Sequence, residues 1–174
     1  MYPVFDTIMG SGILVLGILS IIILVLYFVS PKYAIILWIQ NNILIVGFVI
    51  ALGGVMGSLI YSEIIGFEPC RLCWYQRVAL FPIALLSGIA IIKKHSWITL
   101  YGLVLSIIGG IIAIYHIILE KNIFGDAVNL PCAADAVSCT VQYVYVFDGL
   151  ITIPSMSFVV FFALFTVFFI GSKK

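Results

Sequence analysis

Five long apolar stretches dominate the chain, with shorter polar stretches between them. They cover residues 8–29, 42–62, 75–92, 98–118 and 152–170. Each is close to the roughly 20 residues that an α-helix needs to cross a bilayer. Backbone N–H and C=O groups in hydrocarbon must hydrogen-bond to each other, which favours helices. The pattern therefore predicts an all-α membrane protein with five transmembrane helices.

The connections between these stretches differ in length and polarity. Residues 30–41 are partly apolar, which leaves open either a tight hairpin or an interfacial stretch. Residues 119–150 form a long polar connection, in which the alternation of Tyr143, Tyr145 and Phe147 indicates an extended or interfacial stretch. The first 30 residues lack the basic start and the cleavage site of a signal peptide, so we expect a retained helix.

Composition agrees with a membrane location and excludes some functions. Hydrophobic residues make up 64% of the 174 residues and charged residues 9%. A soluble domain of this size has too little polar surface for such a composition, so we expect lipid as the main surrounding. The net charge of +1 and the absence of a basic run in the sequence give no reason to expect a nucleic-acid partner.

The distribution of lysine and arginine predicts the orientation in the membrane. If the 30–41 turn, the 93–97 turn and the C-terminus are cytoplasmic, five of the eight basic residues lie inside. We therefore expect a multi-pass protein of the cell membrane with its N-terminus outside and its C-terminus in the cytoplasm. The cysteine pairs Cys70/Cys73 and Cys132/Cys139 then face the extracytoplasmic side, where disulfides persist.

The first cysteine pair forms a Cys-x-x-Cys motif after Pro69, which predicts a position in the first turn of the third helix. The unpaired N–H groups and the dipole of a helix start favour a thiolate there. Arg77 follows Cys73 by four residues and Cys70 by seven, so all three share one helical face. Arg77 either extends outward to the interface or stabilises the Cys73 thiolate and the charge that develops on an electron acceptor.

The second pair, Cys132 and Cys139, is separated by six mostly small residues, which allows a disulfide between them. Taken alone, this spacing favours a structural disulfide. A zinc site that uses the four cysteines is a less favoured alternative, and we expect no metal site.

The chain has two histidines. His95 follows two lysines in a polar turn, which indicates a solvated residue. His116 lies near the outer end of the fourth predicted helix, at the depth of the cysteine motif. It either donates a hydrogen bond to a ligand there or only meets the interface, with Glu120 as a candidate partner one turn on.

The string PCRLCWYQR, from Pro69 to Arg77, closely resembles the signature of the DsbB family of thiol:quinone oxidoreductases (disulfide bond formation protein B). The cysteine pair in the last outer loop and the ITIPS string at 151–155 are similar to the compact, BdbC-like branch. The resemblance covers residues 42–172. It implies a four-helix domain over residues 42–174, with the Cys-x-x-Cys motif at about 68–74 and a second outer loop at 119–150. Residues 1–41 would then be an additional N-terminal transmembrane helix and a cytoplasmic turn.

The resemblance also implies an activity, the reoxidation of a DsbA-like thioredoxin-fold thiol oxidase outside the cytoplasm. The Cys132–Cys139 disulfide would accept the electrons, with Cys132 in the mixed disulfide. Cys70 would then attack Cys139, which passes the electrons to the first pair. Cys73 would pass them to the membrane quinone pool. The short spacing of the second pair argues against a large loop rearrangement.

The same resemblance suggests a quinone as cofactor, with ubiquinone and menaquinone not distinguishable. Arg77 would polarise the quinone ring, and His116 falls near a family quinone-site position.

Two other interpretations remain open from the sequence. A vitamin-K-epoxide-reductase-like protein has similar electron flow, but its Cys-x-x-Cys motif follows the loop pair, whereas here it comes first. A disulfide-stapled membrane scaffold or assembly factor would hold two inert disulfides, and such disulfides resist mild reductant.

Overall fold

The computed structural model describes residues 3–93, 97–123 and 139–172. These residues form six α-helices and one π-helical turn, Ile60–Ile64, which continues the third helix. Five of the helices, all except the second, are long and apolar enough to cross a membrane. The predicted fold class, a four-helix transmembrane bundle with an additional N-terminal transmembrane helix, is confirmed. The helices are α1 Pro3–Val29, α2 Ala34–Asn41, α3 Ile43–Leu59, α4 Arg71–Lys93, α5 Ile98–Glu120 and α6 Ile153–Ser172.

Helix α2 resolves the alternatives for residues 30–41, because it is a short helix of eight residues between α1 and α3. Ile36 and Ile39 on one of its faces are buried. They pack against Val167 and Ile170 of α6. The connection is therefore held to the bundle by apolar contacts.

Helix α6 lies at the centre of the bundle and α1 at its edge. Of the residues in the most apolar part of each helix, 56% are buried in protein in α6 but only 6% in α1. Helix α6 packs against α1, α2, α3 and α5, and Phe161, Leu164 and Phe168 supply its fully buried side chains to the main core. The remaining surface of α1 is apolar and faces outward, as a lipid-facing helix requires.

Glycines let the phenylalanines of α6 fit between the helices. A Cβ at Gly109 of α5 would overlap the Phe161 ring, and one at Gly102 would lie 2.6 Å from Phe168. Gly109 therefore allows close packing of α5 against α6. Gly53 of α3 does not have this role, because an added Cβ there would have no atom within 4 Å.

One end of the bundle carries the termini of five helices. The Asp6 carboxylate near the start of α1 accepts a hydrogen bond from the Tyr61 hydroxyl at 3.1 Å. The Thr152 hydroxyl, just before α6, donates to the Glu120 carboxylate at the end of α5 at 2.7 Å. The start of α4 lies at the same end, because its Cys70 contacts the α5 residue His116.

The described part of the loop before α6 is a tight turn. Val146 and Ile151 form an isolated antiparallel bridge with two backbone hydrogen bonds of 3.1 Å. Gly149 has a φ of 79°, which glycine adopts without steric cost. Upstream, the Tyr143 ring stacks on Phe67 at 4.6 Å between centroids.

The adjacent glycines of α5 give a matched pair for testing the packing. Gly109→Ala should destabilise the protein by about 1–3 kcal/mol because the Phe161 ring must shift. Gly110→Ala, whose Cβ would lie at an ordinary 3.8 Å from Phe161, should leave stability unchanged or raise it slightly. Thermal unfolding in detergent, followed by circular dichroism, measures both. Equal melting temperatures for the two variants would contradict this packing.

Candidate functional site

Three cysteines meet at the end of the bundle where α4 begins. Cys70 directly precedes α4 and Cys73 lies in its first turn, so the helix starts two residues after Pro69. The Cys70 and Cys73 sulfurs are 3.3 Å apart. The buried Cys139 side chain also hydrogen-bonds to Cys70. Cys132 lies outside the described residues, as does the predicted Cys132–Cys139 disulfide.

The expected thiolate character is wrong for Cys70 in this reduced arrangement. The hydrogen bond with Cys139 lowers the pKa of Cys70, but the hydrogen bond with Cys73 and burial raise it by more. The net effect is a raised pKa of about 11. Cys70 is therefore a protonated thiol at neutral pH while its neighbours are reduced.

His116 of α5 is buried beside the cysteines and does not lie at the interface, with only 4% of its surface exposed. Its Nε2 is 3.6 Å from the Cys70 sulfur, and its Nδ1 is 3.5 Å from Nε2 of the buried Gln76. With the Gln76 NH₂ facing the ring, Nδ1 accepts and the ring proton lies on Nε2, facing Cys70; with the amide oxygen facing the ring, the proton lies on Nδ1. Glu120, the partner of His116 suggested by the sequence, accepts a hydrogen bond from Thr152.

Arg77 is buried in the bundle, with 8% of its surface exposed, so the outward-extending alternative is wrong. Its Nε donates to the Ser58 hydroxyl at 2.9 Å, and its Nη2 donates to the Ser58 carbonyl at 3.0 Å. The guanidinium also lies 5.3 Å from the centre of the Trp74 ring. These contacts hold the charge one turn from Cys73, directly before the π-helical turn of α3. Such turns are frequent at functional sites.

A cavity of about 390 Å³ connects these groups. We call it the thiol cavity. Its apolar walls come from α1, α3 and α6, and its polar groups cluster around the cysteines. The polar and sulfur-bearing lining includes Cys70, Cys73, Cys139, Gln76, Arg77, His116, Glu120 and Ser58.

The wall supplied by α1 was not foreseen from the sequence. Met9, Ile13 and Leu16 recur at helical spacing and line the cavity opposite Gly53 and Gly57 of α3. Any lipid-facing helix carries such residues at this spacing, so nothing in the α1 sequence marks them.

Sequence reasoning also missed Ser58 and Gln76. Ser58 is a polar residue within an apolar run, and this pattern could have indicated a buried polar contact. Nothing in the sequence indicates that its partner is Arg77 on α4. Gln76 adjoins Arg77 and appeared only as part of the family-like string. The structure adds that it holds His116.

The described geometry suits thiol–disulfide exchange. Three sulfurs in contact allow one disulfide to be replaced by another after small side-chain rotations. The buried guanidinium of Arg77 and the thiol cavity both lie beside Cys73.

Comparisons with known proteins agree with this geometry. The family model "Disulfide bond formation protein DsbB" matches residues 40–171. The chain is 40% identical over 119 residues to "Probable disulfide formation protein C 1" of Bacillus anthracis, which covers 68% of the chain and 84% of that relative. It is 42% identical over 113 residues to "Disulfide bond formation protein C" of Bacillus subtilis, covering 65% of the chain and 80% of that relative. No solved structure matches the chain.

The Thr152–Glu120 hydrogen bond provides a test of how this end of the bundle is fixed. Thr152→Val should destabilise the protein by about 1–3 kcal/mol, because it leaves the buried carboxyl group without its donor. Thr152→Ser keeps a hydroxyl and should retain most of the stability. Thermal unfolding in detergent distinguishes them. If the valine and serine variants unfold at the same temperature, this hydrogen bond does not stabilise the site.

Proposed function

Because the chain belongs to the DsbB family of disulfide bond formation proteins, we propose that it oxidises an extracytoplasmic dithiol and passes the electrons to a membrane quinone. Membership of this family and five membrane-spanning helices make it a multi-pass membrane thiol oxidoreductase of disulfide bond formation. The partner, the electron route and the quinone are the parts that we propose. The observation that carries them is the contact of Cys70 with both Cys73 and Cys139 beside a cavity that holds Arg77.

The first steps of the proposed route are two thiol–disulfide exchanges. A thiolate of a DsbA-like thioredoxin-fold partner attacks Cys132 of the Cys132–Cys139 disulfide, forms a mixed disulfide and releases Cys139 as the leaving thiolate. Cys139 then attacks Cys70 of the Cys70–Cys73 disulfide and releases Cys73. This attack runs opposite to the sense expected above, because only a reduced Cys139 can pass electrons to an oxidised Cys70.

The cycle is completed within the chain. The second partner thiolate attacks the partner sulfur of the mixed disulfide and leaves the partner oxidised, with Cys132 released. Cys132 attacks Cys139, restores the Cys132–Cys139 disulfide and frees Cys70. Cys70 and Cys73 are then a dithiol, and their conversion to a disulfide releases two electrons and two protons.

The thiol cavity fits a quinone. Its volume of about 390 Å³ is within the range of small-molecule sites, and its walls are mostly apolar. Arg77 supplies hydrogen-bond donors and positive charge near Cys73, and Gln76 and His116 supply further polar groups around the thiols. A bound quinone would supply the chemistry of accepting the two electrons and two protons. Arg77 would then stabilise negative charge on a ring oxygen, as preorganised donors do.

The location and the extra helix complete the proposal. The lysine and arginine distribution supports an extracytoplasmic thiol cavity, with the N-terminus outside and the C-terminus cytoplasmic. The family match begins at residue 40, so nearly all of residues 1–41 lie outside it. This supports α1 as an addition to the four-helix domain at 42–174. Ubiquinone and menaquinone share the chemistry that the cavity would use.

Thiol counting on the reduced protein tests this function directly. Added quinone should remove two thiols per turnover in the absence of oxygen, and Cys73→Ser should stop the reaction. Arg77→Ala should slow it by about 10²-fold, the lower end of the effect of losing a preorganised donor. Arg71→Ala is the matched control, since Arg71 is an exposed arginine in the first turn of the same helix. Thiols that persist with every quinone tried would favour the stapled scaffold instead.

Two exposed glycines test whether the quinone occupies the cavity. Gly53→Leu and Gly12→Leu both add a side chain where an added Cβ has no atom within 4 Å, but only Gly53 lines the cavity. Gly53→Leu should raise the KM for quinone by about tenfold by narrowing the cavity, while Gly12→Leu should not. The equilibrium affinity for a quinone analogue, measured by calorimetry, should fall in parallel. Equal effects of the two substitutions would place the quinone elsewhere.

A further inference from the structure

The reduced thiol cluster has the donor set of a metal site. The Cys70 and Cys73 sulfurs and a His116 nitrogen all lie within 4.8 Å of one another. Cys139 adds a fourth donor next to Cys70. Three cysteines and one histidine are a common ligand set of tetrahedral zinc.

The distances agree with tetrahedral geometry. Zinc–sulfur bonds of about 2.3 Å and zinc–nitrogen bonds of about 2.0–2.1 Å place two sulfur ligands about 3.8 Å apart and a sulfur and a nitrogen about 3.6 Å apart. The Cys70 sulfur and His116 Nε2 are 3.6 Å apart, and the Cys70 and Cys73 sulfurs are 3.3 Å apart. The first distance already fits, and small side-chain rotations bring the second to the tetrahedral value. We propose that the reduced protein binds one thiophilic cation such as Zn²⁺ through Cys70, Cys73 and His116, and that the Cys139 side chain, next to Cys70, rotates in as the fourth ligand.

The surroundings support a metal at this position. Gln76 lies 3.5 Å from His116 Nδ1. With its amide oxygen turned toward the ring, Gln76 accepts a hydrogen bond from Nδ1–H and leaves Nε2 free to bind the metal; metal-bound histidines usually make such a hydrogen bond through their other ring nitrogen. Three thiolates and one Zn²⁺ carry a net charge of −1, which the buried Arg77 beside the cluster offsets.

Metal binding and disulfide formation exclude each other at this site. A bound Zn²⁺ needs thiolate ligands, and its binding releases their protons without any change of oxidation state. A Cys70–Cys73 or Cys70–Cys139 disulfide has no thiolate to offer. The cation therefore holds the protein in its reduced form, and oxidation expels it. The zinc site considered from the sequence used four cysteines, whereas the structure adds His116 to the donor set.

Cobalt titration of the full-length protein tests this inference without a quinone. The detergent-purified protein is reduced anaerobically, freed of reductant and titrated with Co²⁺, followed by Zn²⁺. We expect one Co²⁺ per chain, with the ligand-field and sulfur-to-metal absorption bands of a tetrahedral thiolate site, and displacement by Zn²⁺. The disulfide-oxidised protein should show no such bands. Their absence from the reduced protein would overturn the proposal, whatever the outcome of thiol counting with quinone.

Variants then identify the ligands. His116→Ala and Cys139→Ser should each weaken Zn²⁺ binding at least tenfold. Gln76→Leu should weaken it about 10–100-fold, because the metal-bound histidine loses its hydrogen-bond partner. His95→Ala removes the other histidine of the chain, which follows α4 in the sequence, and should leave affinity unchanged. Circular dichroism checks that each variant keeps its helices. Equal affinity of the wild type, His116→Ala and Cys139→Ser would show that the metal binds elsewhere.

Discussion

The Arg77 guanidinium inside an apolar bundle is the constraint on which this end of the molecule depends. A buried charge must be hydrogen-bonded, and Ser58 meets this need with both its hydroxyl and its backbone carbonyl. These two bonds tie α3 to α4 at one depth and one rotation, just before the π-helical turn at 60–64. Because Cys73 lies one turn earlier on α4, the same bonds fix the distance between the positive charge and the thiols.

The bundle uses glycine in two opposite ways around this constraint. On α5, the rings of Phe168 and Phe161 fill the space where side chains at Gly102 and Gly109 would lie, so α5 and α6 are in contact. On α3, Gly53 faces open space, and α1 stands across the gap with Met9 and Ile13. The cavity therefore exists because α3 presents small residues to a helix that packs on α6 instead. A bundle that closed this gap would bury the thiols without room for a second molecule.

The helices and the cysteine site could be predicted from the sequence, but their contacts could not. Hydrophobic length alone gives five spans, since the bilayer requires helices of that length, and the spacing of Cys70, Cys73 and Arg77 gives their shared face. The Arg77–Ser58 and Gln76–His116 pairs join residues 19 and 40 positions apart, and periodicity carries no information about which helices adjoin. The raised pKa of Cys70 also depends on burial and on its thiol neighbours, which overcome the helix-start effect read from the motif.

Cys70 is the junction of the described part of the site, because its sulfur contacts Cys73, Cys139 and His116. The proposed exchange between the two cysteine pairs would therefore pass through Cys70, and the contact of Cys70 with Cys139 allows that step by rotation of side chains. Against the opposite effect of the hydrogen bond with Cys139, the hydrogen bond with Cys73 and burial raise the pKa of this thiol and hold it in its neutral form. Cys70 becomes a thiolate only when another group takes its proton, and the Nε2–H of His116, which Gln76 orients, can then donate a hydrogen bond to the sulfur.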